Sequence, residues 1–342
     1  MRVLQITEAF GGGVAASINA FLRYDWMEQR AVVVARPGLS LGEEPAGDLE
    51  VHQRSNHAKH WRLMRSAVQD YRPDLVHLHS SIAGGLGRLP ALGVPTVYSP
   101  RGFAFGRTDL SGTARALVRG IERTLAARTA GGGAVSPWER DQMTDLGYRL
   151  ARLIPNELPP SAKTELASLR RTGRGVAHVV TVGRASPQKD PDWAIEFARH
   201  WVGDRRRMTW VGGGPPEVVG RLEAAGIRVT GWLPRRGVWE AMSEADIYLH
   251  TAAWEGMPNT LLEAIALRLP LLVRATETMA GLPLPDDDWV NSPGEAVETI
   301  GGLTPAIAAE RAAASYDVFH AGYHAESQSD ALQRLYESVL SG

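Results

Sequence analysis

The chain has 342 residues, of which 44% are apolar, and its formal net charge is −1 at pH 7. This length suits two ordinary domains, and the near-neutral balance gives no bulk attraction to nucleic acid. The absence of cysteine excludes disulfides, thiolate metal sites and a cysteine nucleophile. The chain opens as a strand and not as a signal peptide, and no apolar run reaches the ~18 residues of a membrane-spanning helix, so we expect a cytoplasmic protein.

The two halves of the chain differ in charge. Residues 1–150 contain 18 Lys and Arg against 14 Asp and Glu, a balance of +4, whereas residues 151–342 contain 19 against 24, a balance of −5. Arginine supplies 34 of the 37 basic residues, and the only lysines are Lys59, Lys163 and Lys189. Since a lysine offers a compact ammonium that arginine does not, its retention in so arginine-rich a chain draws attention to Lys189.

Strand-like and helical runs alternate along the chain in two blocks. The first block has predicted strands at residues 3–7, 31–35, 75–79, 96–99 and 133–136, and helices at residues 14–23, 61–71 and 113–128. A proline-rich break follows at residues 154–160, and the Gly-containing stretch 172–175 is a flexible lead-in to the second block. That block has predicted strands at residues 179–182, 208–211, 229–231, 247–250 and 271–273.

Alternating β and α elements favour parallel sheets. The sequence therefore predicts an α/β fold with two Rossmann-like domains, at residues 1–158 and 159–319, that face each other across a cleft. A last helix within residues 320–342 is expected to pack back on the first domain or to stay with the second. Ligands of such sheets bind at the carboxyl ends of the strands.

A glycine-rich turn follows the first strand. Residues 11–16 fit the Gly-x-Gly-x-x-Ala dinucleotide fingerprint. That motif expects an acidic residue after the second strand to bind a ribose, whereas this chain has Arg36, which suits a 2′-phosphate at best. A dehydrogenase would also leave the second-half motifs described below without a role, so it is the weaker interpretation.

Two histidines alternate in the strand at residues 75–79, with Ser80 after it. His77 and His79 point to one face because side chains alternate along a strand. With Ser80 they either line an acceptor site or are ordinary strand residues, and both interpretations stay open. With no cysteine and no His-x3-His pattern, a zinc site is not expected.

Arg115, Arg119 and Arg123 recur every four residues and so share one side of a helix. With Arg101 and Arg107 they could face anionic headgroups or a lipid-diphosphate acceptor, and residues 57–65 are basic and aromatic in the same half. Peripheral contact with the inner face of a membrane is one hypothesis, and a solvated arginine stripe is the other.

The loop after the strand at residues 179–182 is basic. Arg184 and Lys189 fall at the carboxyl end of that strand, where a ligand is expected. An arginine clamps phosphate oxygens through its fork, and a lysine acts as a point charge. Together they could offset the charge of a leaving diphosphate without a metal; the alternative is a solvated basic loop.

Residues 254–263 place two carboxylates across a loop-to-helix junction. Pro258 suits the first turn of a helix, where its missing N–H is not needed. Glu263 lies about one turn in, where it could hold a ribose diol, and Glu255 lies before the helix, where it could meet sugar hydroxyls. The free N–H groups at the helix start form an anion site suited to a diphosphate. They belong to Asn259, Thr260 and Leu261.

These motifs occur in a characteristic order and spacing. The second half contains Gly183-Arg184, Gln188-Lys189, residues 211–215, 231–233, 245–247, 255–263 and 269–273. Over residues 176–275 the chain resembles the retaining family 4 glycosyltransferases (glycosyl transferases group 1), which have the GT-B fold of two facing Rossmann-like domains. The first half matches more loosely, at residues 7–13, 77–80, 134–140 and 154–156.

The resemblance implies roles for individual residues. Arg184 and Lys189 would bind the donor diphosphate, Glu263 the ribose and Glu255 the donor sugar. Gly12 and Gly13 would allow the backbone to approach the donor from the other domain. The remaining donor-pocket residues would be Gly183, Gly214, Gly256, Met257, Asn259, Thr260 and Leu261.

The family normally needs no metal and no further cofactor. Two acidic clusters, at residues 190–192 and 286–288, are accordingly interpreted as solvated turns and not as metal ligands.

One position departs from the family. Many members carry a histidine near the reacting centre where this chain has Arg101. Arginine cannot act as a base at neutral pH, so we expect Arg101 to bind an anionic acceptor or the charge that develops on the donor phosphate.

The sequence therefore predicts a retaining, metal-independent glycosyltransferase of hexosyl or N-acetylhexosaminyl type. It would move a sugar from a nucleoside-diphosphate donor, such as a UDP-sugar, to a hydroxyl of an anionic or lipid-linked acceptor. Polysaccharide, glycolipid or secondary-metabolite biosynthesis would fit this chemistry. Two alternatives are a GT-B sugar-nucleotide epimerase, which acts on the donor alone, and a non-catalytic nucleotide-sugar-binding subunit.

Overall fold

The computed structural model describes residues 1–35, 47–53, 56–89, 92–169, 175–203 and 205–342. The chain forms two compact units, Met1–Glu157 with Glu326–Gly342, and Leu158–Ala325. The first unit thus ends at Glu157, one residue before the expected boundary. The C-terminal segment that returns to this unit begins at Glu326 and not at residue 320. Arg36 and the expected lead-in at residues 172–174 lie outside the described residues.

A seven-stranded parallel sheet forms the centre of the first unit. Its strands are β1 (Arg2–Phe10), β2 (Glu28–Ala35), β3 (Asp48–His52), β4 (Leu75–His79), β5 (Thr96–Ser99), β6 (Gly131–Ala134) and β7 (Ala151–Leu153). They pair in the order β3-β2-β1-β4-β5-β6-β7. The helices between them are α1 (Gly12–Phe21), α2 (His57–Tyr71), α3 (Ser81–Arg88), α4 (Gly112–Ala126) and α5 (Pro137–Leu146).

A six-stranded parallel sheet forms the centre of the second unit, in the order β10-β9-β8-β11-β12-β13. Its strands are β8 (His178–Val182), β9 (Arg207–Val211), β10 (Ile227–Val229), β11 (Ile247–His250), β12 (Leu271–Arg274) and β13 (Trp289–Val290). Its helices are α6 (Pro160–Ser168), α7 (Pro191–Trp201), α8 (Pro216–Ala224), α9 (Arg235–Ser243), α10 (Asn259–Ala266), α11 (Pro293–Gly301) and α12 (Pro305–Gly322).

The last helix, α13 (Gln328–Ser341), returns to the first unit. Leu335 and Val339 of this helix pack with Phe21 of α1 against Val97 of the sheet. Helices α2 to α5 contribute to a separate core, in which buried apolar side chains of these helices meet the inner residues of β1, β4 and β5. Helices therefore supply apolar faces to two cores of one parallel sheet, as both faces of such a sheet require.

The strand β6 shows how packing overrides propensity. Its sequence is Gly-Gly-Gly-Ala, which by itself favours a turn. A Cβ at Gly131 would lie 2.8 Å from Val339 of α13, and a Cβ at Gly132 would lie 2.5 Å from the sulfur of Met143 on α5. Glycine is therefore needed because helices press on the strand from both sides, and the observed strand starts two residues before the predicted one.

The sequence missed three strands, namely β3, β7 and β13. Each lies at an edge of its sheet, and they have 5, 3 and 2 residues. Edge strands this short bury little and give a weak periodic signal. Within the described ranges, every helix is too short or too polar to cross a membrane.

Candidate active site

Glycines shape the loops that follow β8 and β9. A Cβ at Gly183 would lie 2.7 Å from Cε of Lys189, and a Cβ at Gly212 would lie 2.2 Å from the carbonyl oxygen of Gly183. A Cβ at Gly214 would lie 2.7 Å from Cβ of Ala185. These glycines let two strand-end loops pack directly together, which holds the loop that contains Arg184, whose side chain is exposed, and Lys189.

Lys189 and Glu255 meet in an ion pair. The ammonium of Lys189 lies 2.6 Å from Oε1 of Glu255, with the two side chains 14% and 10% exposed. The amide of Gln188 donates to Oε2 of Glu255 at 3.2 Å and to the carbonyl oxygen of Trp254 at 3.3 Å. The hydroxyl of Thr251 donates to the carbonyl oxygen of Lys189 at 2.6 Å. Two residues singled out in separate motifs are thus brought into contact by the loops after β8 and β11.

A third loop, after β12, supports the same cluster. The backbone N–H of Glu255 donates to the hydroxyl of Thr278 at 2.9 Å, and Thr278 is buried in a short 3-10 helix, Glu277–Met279. The guanidinium of Arg274 donates to Asp190 at 2.5 Å and to the carbonyl oxygen of Thr251 at 3.2 Å. Sequence reasoning missed Thr278 and Arg274, because a threonine or an arginine does not by its residue type indicate which loop it will contact.

The helix α10 begins at Asn259, with Pro258 at the N-cap position just before it. The N–H of Leu261 donates to the carbonyl oxygen of Pro258 at 3.0 Å, and the side chain of Leu261 is fully buried. The expectation of an open N–H on Leu261 is therefore wrong, because the first turn is closed by an i to i−3 hydrogen bond. The N–H groups of Asn259 and Thr260 are the ones for which the helix itself supplies no acceptor.

Glu263 is buried one turn into α10. Its Oε1 lies 3.6 Å from the guanidinium of Arg235 at the start of α9. Burial raises the pKa of Glu263, and the charge of Arg235 acts in the opposite direction. Glu255 and Glu263 thus have different cationic partners, and sequence reasoning missed Arg235, although the basic pair Arg235-Arg236 follows the Gly231-Trp232-Leu233 motif directly.

Gly256 and Met257 lie between the ion pair and α10, and both are buried. The structure thus gathers the predicted donor residues of the second half into the loops after β8, β9 and β11 and the start of α10. Their contacts with a donor stay a prediction.

In each acidic cluster one carboxylate is not solvated as expected, whereas Asp192, Asp286 and Asp287 are exposed. Asp190 caps α7, where its carboxylate accepts from the N–H of Trp193 at 3.2 Å. Asp288 is fully buried, accepts from the hydroxyl of Ser315 at 2.5 Å and lies 3.3 Å from the guanidinium of Arg311. Burial raises the pKa of Asp288 to about 6. Within the part of the chain that the structure describes, no group of three or more His, Cys, Asp or Glu residues could hold a metal ion.

In the first unit, Gly12 and Gly13 start α1 and are exposed, and Gly12 has a φ of 54°, which favours glycine. The guanidinium of Arg101 donates to the hydroxyl of Ser17 on α1 at 3.0 Å and to Oδ1 of Asn156 at 3.1 Å. Arg101 therefore lies beside the helix that follows the glycine turn.

The backbone at Arg101 is held by a buried carboxylate. Arg101 has a φ of 58°, an uncommon conformation for a residue with a side chain. Glu139, on α5, accepts from the N–H of Gly102 at 2.5 Å and from the N–H of Val135 at 2.8 Å. Burial raises the pKa of Glu139, and the two N–H groups and Arg101 oppose that rise. Glu139 is thus a support for the Arg101 turn that sequence reasoning did not identify.

His77 and His79 share a face of β4, with ring centroids 4.0 Å apart, but both are fully buried. The Nδ1 of His77 lies 2.7 Å from the hydroxyl of Tyr336 and its Nε2 lies 2.9 Å from Oγ of Ser99. The Nε2 of His79 lies 2.8 Å from Oε1 of Gln5. Burial lowers the pKa of both imidazoles well below the usual range. The geometry favours the ordinary strand interpretation over an acceptor role.

Ser80 is buried directly after β4 and has a φ of 72°. Its hydroxyl lies 2.7 Å from Oε2 of Glu8, and the same carboxylate oxygen accepts from the N–H of Ala83 at 2.8 Å. Glu8 therefore caps the start of α3, and Ser80 belongs to that local network. An acceptor contact at Ser80 stays a prediction.

The arginine stripe of α4 is turned toward its own unit. Arg115 donates to the carbonyl oxygen of Phe105 at 2.8 Å, Arg119 donates to Gln142, and Arg123 donates to the carbonyl oxygen of Asp145 at 3.4 Å. The large apolar side chains that α4 exposes are those of Leu117 and Ile121. The stripe is therefore engaged in hydrogen bonds of the unit, and lipid contact stays a prediction.

Comparison with known proteins gives two family matches. Residues 17–157 match the family described as glycosyl transferase 4-like domain, and residues 177–299 match the family described as glycosyl transferases group 1. Together these matches span most of the described chain.

Curated relatives cover the chain in part. A GDP-mannose-dependent alpha-mannosyltransferase of Mycobacterium tuberculosis (strain CDC 1551 / Oshkosh) is 31% identical over 62% of this chain and 58% of its own length. The UDP-Gal:alpha-D-GlcNAc-diphosphoundecaprenol alpha-1,3-galactosyltransferase of Escherichia coli is 26% identical over 58% of this chain and 57% of its own length. The chain thus spans less than two-thirds of the length of either relative.

A solved structure is similar over the whole chain. Anabaena HepE, in complex with UDP and glucose, has a TM-score of 0.74 and 17% sequence identity, and the alignment covers 100% of both chains. This likeness confirms the prediction of two Rossmann-like domains with parallel sheets.

Proposed function

Because the chain belongs to the family 4 glycosyltransferases of the GT-B fold, we propose that it uses a nucleoside-diphosphate sugar and transfers the sugar with retention of configuration, without a metal. The observation that carries this proposal is the Lys189–Glu255 ion pair at the carboxyl end of the second sheet. Glu255 lies in the loop that leads into α10, whose start suits an anion and in which Glu263 lies one turn further on.

The ion pair gives the donor site a specific chemistry. A diphosphate beside Lys189 would compete with Glu255 for the ammonium. The Glu255 carboxylate would then accept hydrogen bonds from sugar hydroxyls, and Gln188 would keep that carboxylate in place. Arg184 would add a second cationic group for the diphosphate. The N–H groups of residues 259 and 260 would complete the anion site.

Glu263 would bind the ribose. It is buried and paired with Arg235 at 3.6 Å, which is too long for a strong hydrogen bond. A ribose diol would donate to this carboxylate beside the guanidinium of Arg235.

The proposed transfer breaks the bond between the anomeric carbon and the donor phosphate oxygen. The acceptor oxygen bonds to the same face of that carbon, its proton moves to a phosphate oxygen, and the nucleoside diphosphate leaves. The residues near the diphosphate act by positioning and by stabilising its developing charge. Arg101 of the first unit, beside Ser17 and Asn156, would bind an anionic acceptor or a phosphate group.

The relatives suggest a substrate class. Their names specify GDP-mannose and UDP-galactose as donors, and one names a diphosphoundecaprenol-linked sugar as acceptor. We therefore favour a hexosyl donor and a lipid-linked or otherwise anionic acceptor, in polysaccharide or glycolipid biosynthesis. Such an acceptor would place the protein at the inner face of a membrane.

Thermal unfolding with UDP, GDP, ADP, dTDP and NADP⁺ tests the donor site. A ligand at 100 times its dissociation constant should stabilise the protein by about 2.7 kcal/mol. One nucleoside diphosphate should raise the Tm of the wild type and of Glu298→Ala, an exposed control on α11, but not that of Glu263→Ala. A shift with NADP⁺ alone would overturn the proposal and favour a dinucleotide enzyme.

Product analysis separates a transferase from the other classes that use the same donor. Without an acceptor, we expect the donor to remain unchanged apart from slow hydrolysis. Conversion of the donor sugar to an epimer would identify a sugar-nucleotide epimerase instead. Donor binding with no transfer to any lipid-diphosphate sugar or polyol acceptor would point to a non-catalytic binding subunit.

A further inference from the structure

A chain of buried hydrogen bonds runs from β11 to the start of α10. The hydroxyl of Tyr248 lies 3.0 Å from Nδ1 of His250 and 2.8 Å from Oγ1 of Thr260. Tyr248 is 0% exposed and His250 is 1% exposed, and both side chains are on the same face of β11. Thr260 is only half-buried, so the chain begins inside the unit and ends at a side chain that solvent can reach.

The other ring nitrogen of His250, Nε2, determines where the protons of this hydrogen-bond series lie. Burial lowers the pKa of His250 well below its usual range, and the charge of Lys189 lowers it further, so the imidazole is neutral at pH 7. A neutral imidazole has a single N–H, on either Nδ1 or Nε2. Nε2 is buried, and no group in the described part of the chain forms a hydrogen bond with it.

The hydrogen bonds between His250, Tyr248 and Thr260 can be donated in either of two directions. If Nε2 carries the proton, Tyr248 donates to Nδ1 and Thr260 donates to Tyr248, so the threonine hydroxyl points inward. An N–H on Nε2 would then be a buried donor without an acceptor, which is unfavourable. If Nδ1 carries the proton, this N–H donates to the hydroxyl oxygen of Tyr248, and Nε2 has a lone pair and no unpaired N–H. Tyr248 then donates to Thr260, and the proton of Thr260 is directed outward.

We propose that His250 and Tyr248 are positioning residues that direct the hydroxyl proton of Thr260 outward, to donate to a phosphate oxygen of the nucleoside-diphosphate donor. This inference rests on the proposed function and deepens it, since it adds a side-chain donor to the backbone N–H groups at the start of α10. A hydroxyl that accepts from Tyr248 has its own proton left for one further hydrogen bond, and a phosphate oxygen is an acceptor only.

The first test reads the tautomer of His250 directly. The full-length protein is labelled with ¹⁵N-histidine, and long-range ¹H–¹⁵N correlations are measured at pH 7, with the His250 signals assigned by their loss in His250→Asn. We expect the pattern of a neutral ring protonated on Nδ1. A ring protonated on Nε2 would overturn the inference, and this readout requires neither donor binding nor activity.

The second test is a double-mutant cycle on ligand affinity. Calorimetric titration with UDP, GDP, ADP and dTDP identifies the ligand of the wild type. With that ligand, Tyr248→Phe and Thr260→Val should each weaken binding about tenfold, the equivalent of about 1.4 kcal/mol. Thr260→Ser, which keeps the hydroxyl, should bind like the wild type. In the Thr260→Val background, Tyr248→Phe should have no further effect, because the hydroxyl that it orients is absent.

Tyr336→Phe provides a matched control. This substitution also removes a buried hydroxyl beside a strand histidine, but in the first unit, so it should leave nucleotide affinity unchanged. If Tyr248→Phe weakens binding equally with and without the Thr260 hydroxyl, Tyr248 acts only on the fold of the unit and the inference is wrong. If no nucleoside diphosphate binds the wild type, the proposed function fails together with the inference.

Discussion

Each unit contains a close ion pair between loops or helices, and the two pairs serve different ends. In the first unit, Arg88 and Glu122 lie 2.8 Å apart, with side chains 0% and 8% exposed. Arg88 also donates to the carbonyl oxygen of Gly84 at 2.7 Å and to the hydroxyl of Tyr148 at 2.7 Å, and its guanidinium lies over the ring of Tyr98. Every nitrogen of this arginine has a partner within the unit, and its side chain is 0% exposed, so a ligand in solvent cannot reach it.

In the second unit, Lys189 pairs with Glu255 at a similar distance, but both residues lie in loops that follow strands. An ammonium has three donors, and an ion pair with one carboxylate oxygen uses one of them. Charge and burial alone therefore do not distinguish an ion pair of a ligand site from a structural ion pair. What distinguishes them is whether the residues lie within the packed elements or just beyond the carboxyl ends of the strands.

The histidines of β4 follow the same rule. His77 and His79 are within the strand and are fully buried. Protein groups bind both ring nitrogens of His77 and the Nε2 of His79. Lys189 and Glu255 come after β8 and β11, in the loops at the carboxyl ends of these strands. A shift of a few residues along a strand thus separates a core histidine from a candidate ligand group.

Removal of one partner of the Arg88–Glu122 pair should have the largest effect on stability. Glu122→Leu should destabilise the first unit by about 3–5 kcal/mol, because Arg88 would be left as a buried charge without its counter-ion. Urea unfolding followed by circular dichroism measures this. Asp109→Ala, which removes an exposed partner of Arg107, is the control and should cost less than about 1 kcal/mol. A loss of that small size in Glu122→Leu would show that the pair is not structural.

The second substitution acts on the pair proposed to serve catalysis. Lys189→Ala should lower kcat/KM about 10²- to 10³-fold, because a cationic group on the developing diphosphate charge is lost. The measurement is sugar transfer under initial-rate conditions with the donor identified above. Lys163→Ala, at an exposed lysine of α6, should retain the wild-type rate. Equal rates for the two variants would remove Lys189 from the mechanism.

The third prediction concerns a carboxylate of the second unit that is structural. Burial raises the pKa of Asp288 from 3.8 to about 6, so between these pH values the folded state holds a proton that the unfolded state has lost. Stability should therefore fall as pH rises through this window, by at most about 3 kcal/mol.

Unfolding free energies measured from pH 4 to pH 7 test this dependence. The fall should be smaller in Asp288→Asn, which cannot titrate, and should persist in Asp286→Asn, at an exposed position of the same turn. An unchanged pH profile in Asp288→Asn would show that other groups cause the dependence.

Much of the second-half site was predictable from local sequence. Residues 254–263 combine a loop carboxylate, a proline predicted in the first turn of a helix and an apolar helical face. The structure begins α10 at Asn259, with Pro258 one residue earlier at the N-cap position. The basic loop after β8 was predictable for the same reason, since a run of β-branched residues followed by Gly183 ends a strand. These features depend on neighbours within about ten residues of one another.

Other features were decided by tertiary contact. The strand β6 requires glycine because α5 and α13 pack closely against it, and α13 is distant in sequence. The buried state of His77 depends on Tyr336, and the support of Glu255 depends on Thr278. The partner of Glu263 is Arg235, on a different helix. None of these pairs leaves a periodic pattern in the chain.

Local sequence patterns predicted the alternation of strands and helices and the order of the two sheets along the chain. They also predicted which residues follow the carboxyl ends of β8 and β11. Hydrophobic periodicity and glycine turns encode these features locally. Only the tertiary structure decided which carboxylate meets which cation, which histidines are buried and which hydroxyl can donate outward. Hydrogen bonds and ion pairs form only when the distance between two groups is correct to within a few tenths of an ångström. No local pattern specifies such a distance between elements that are remote in sequence.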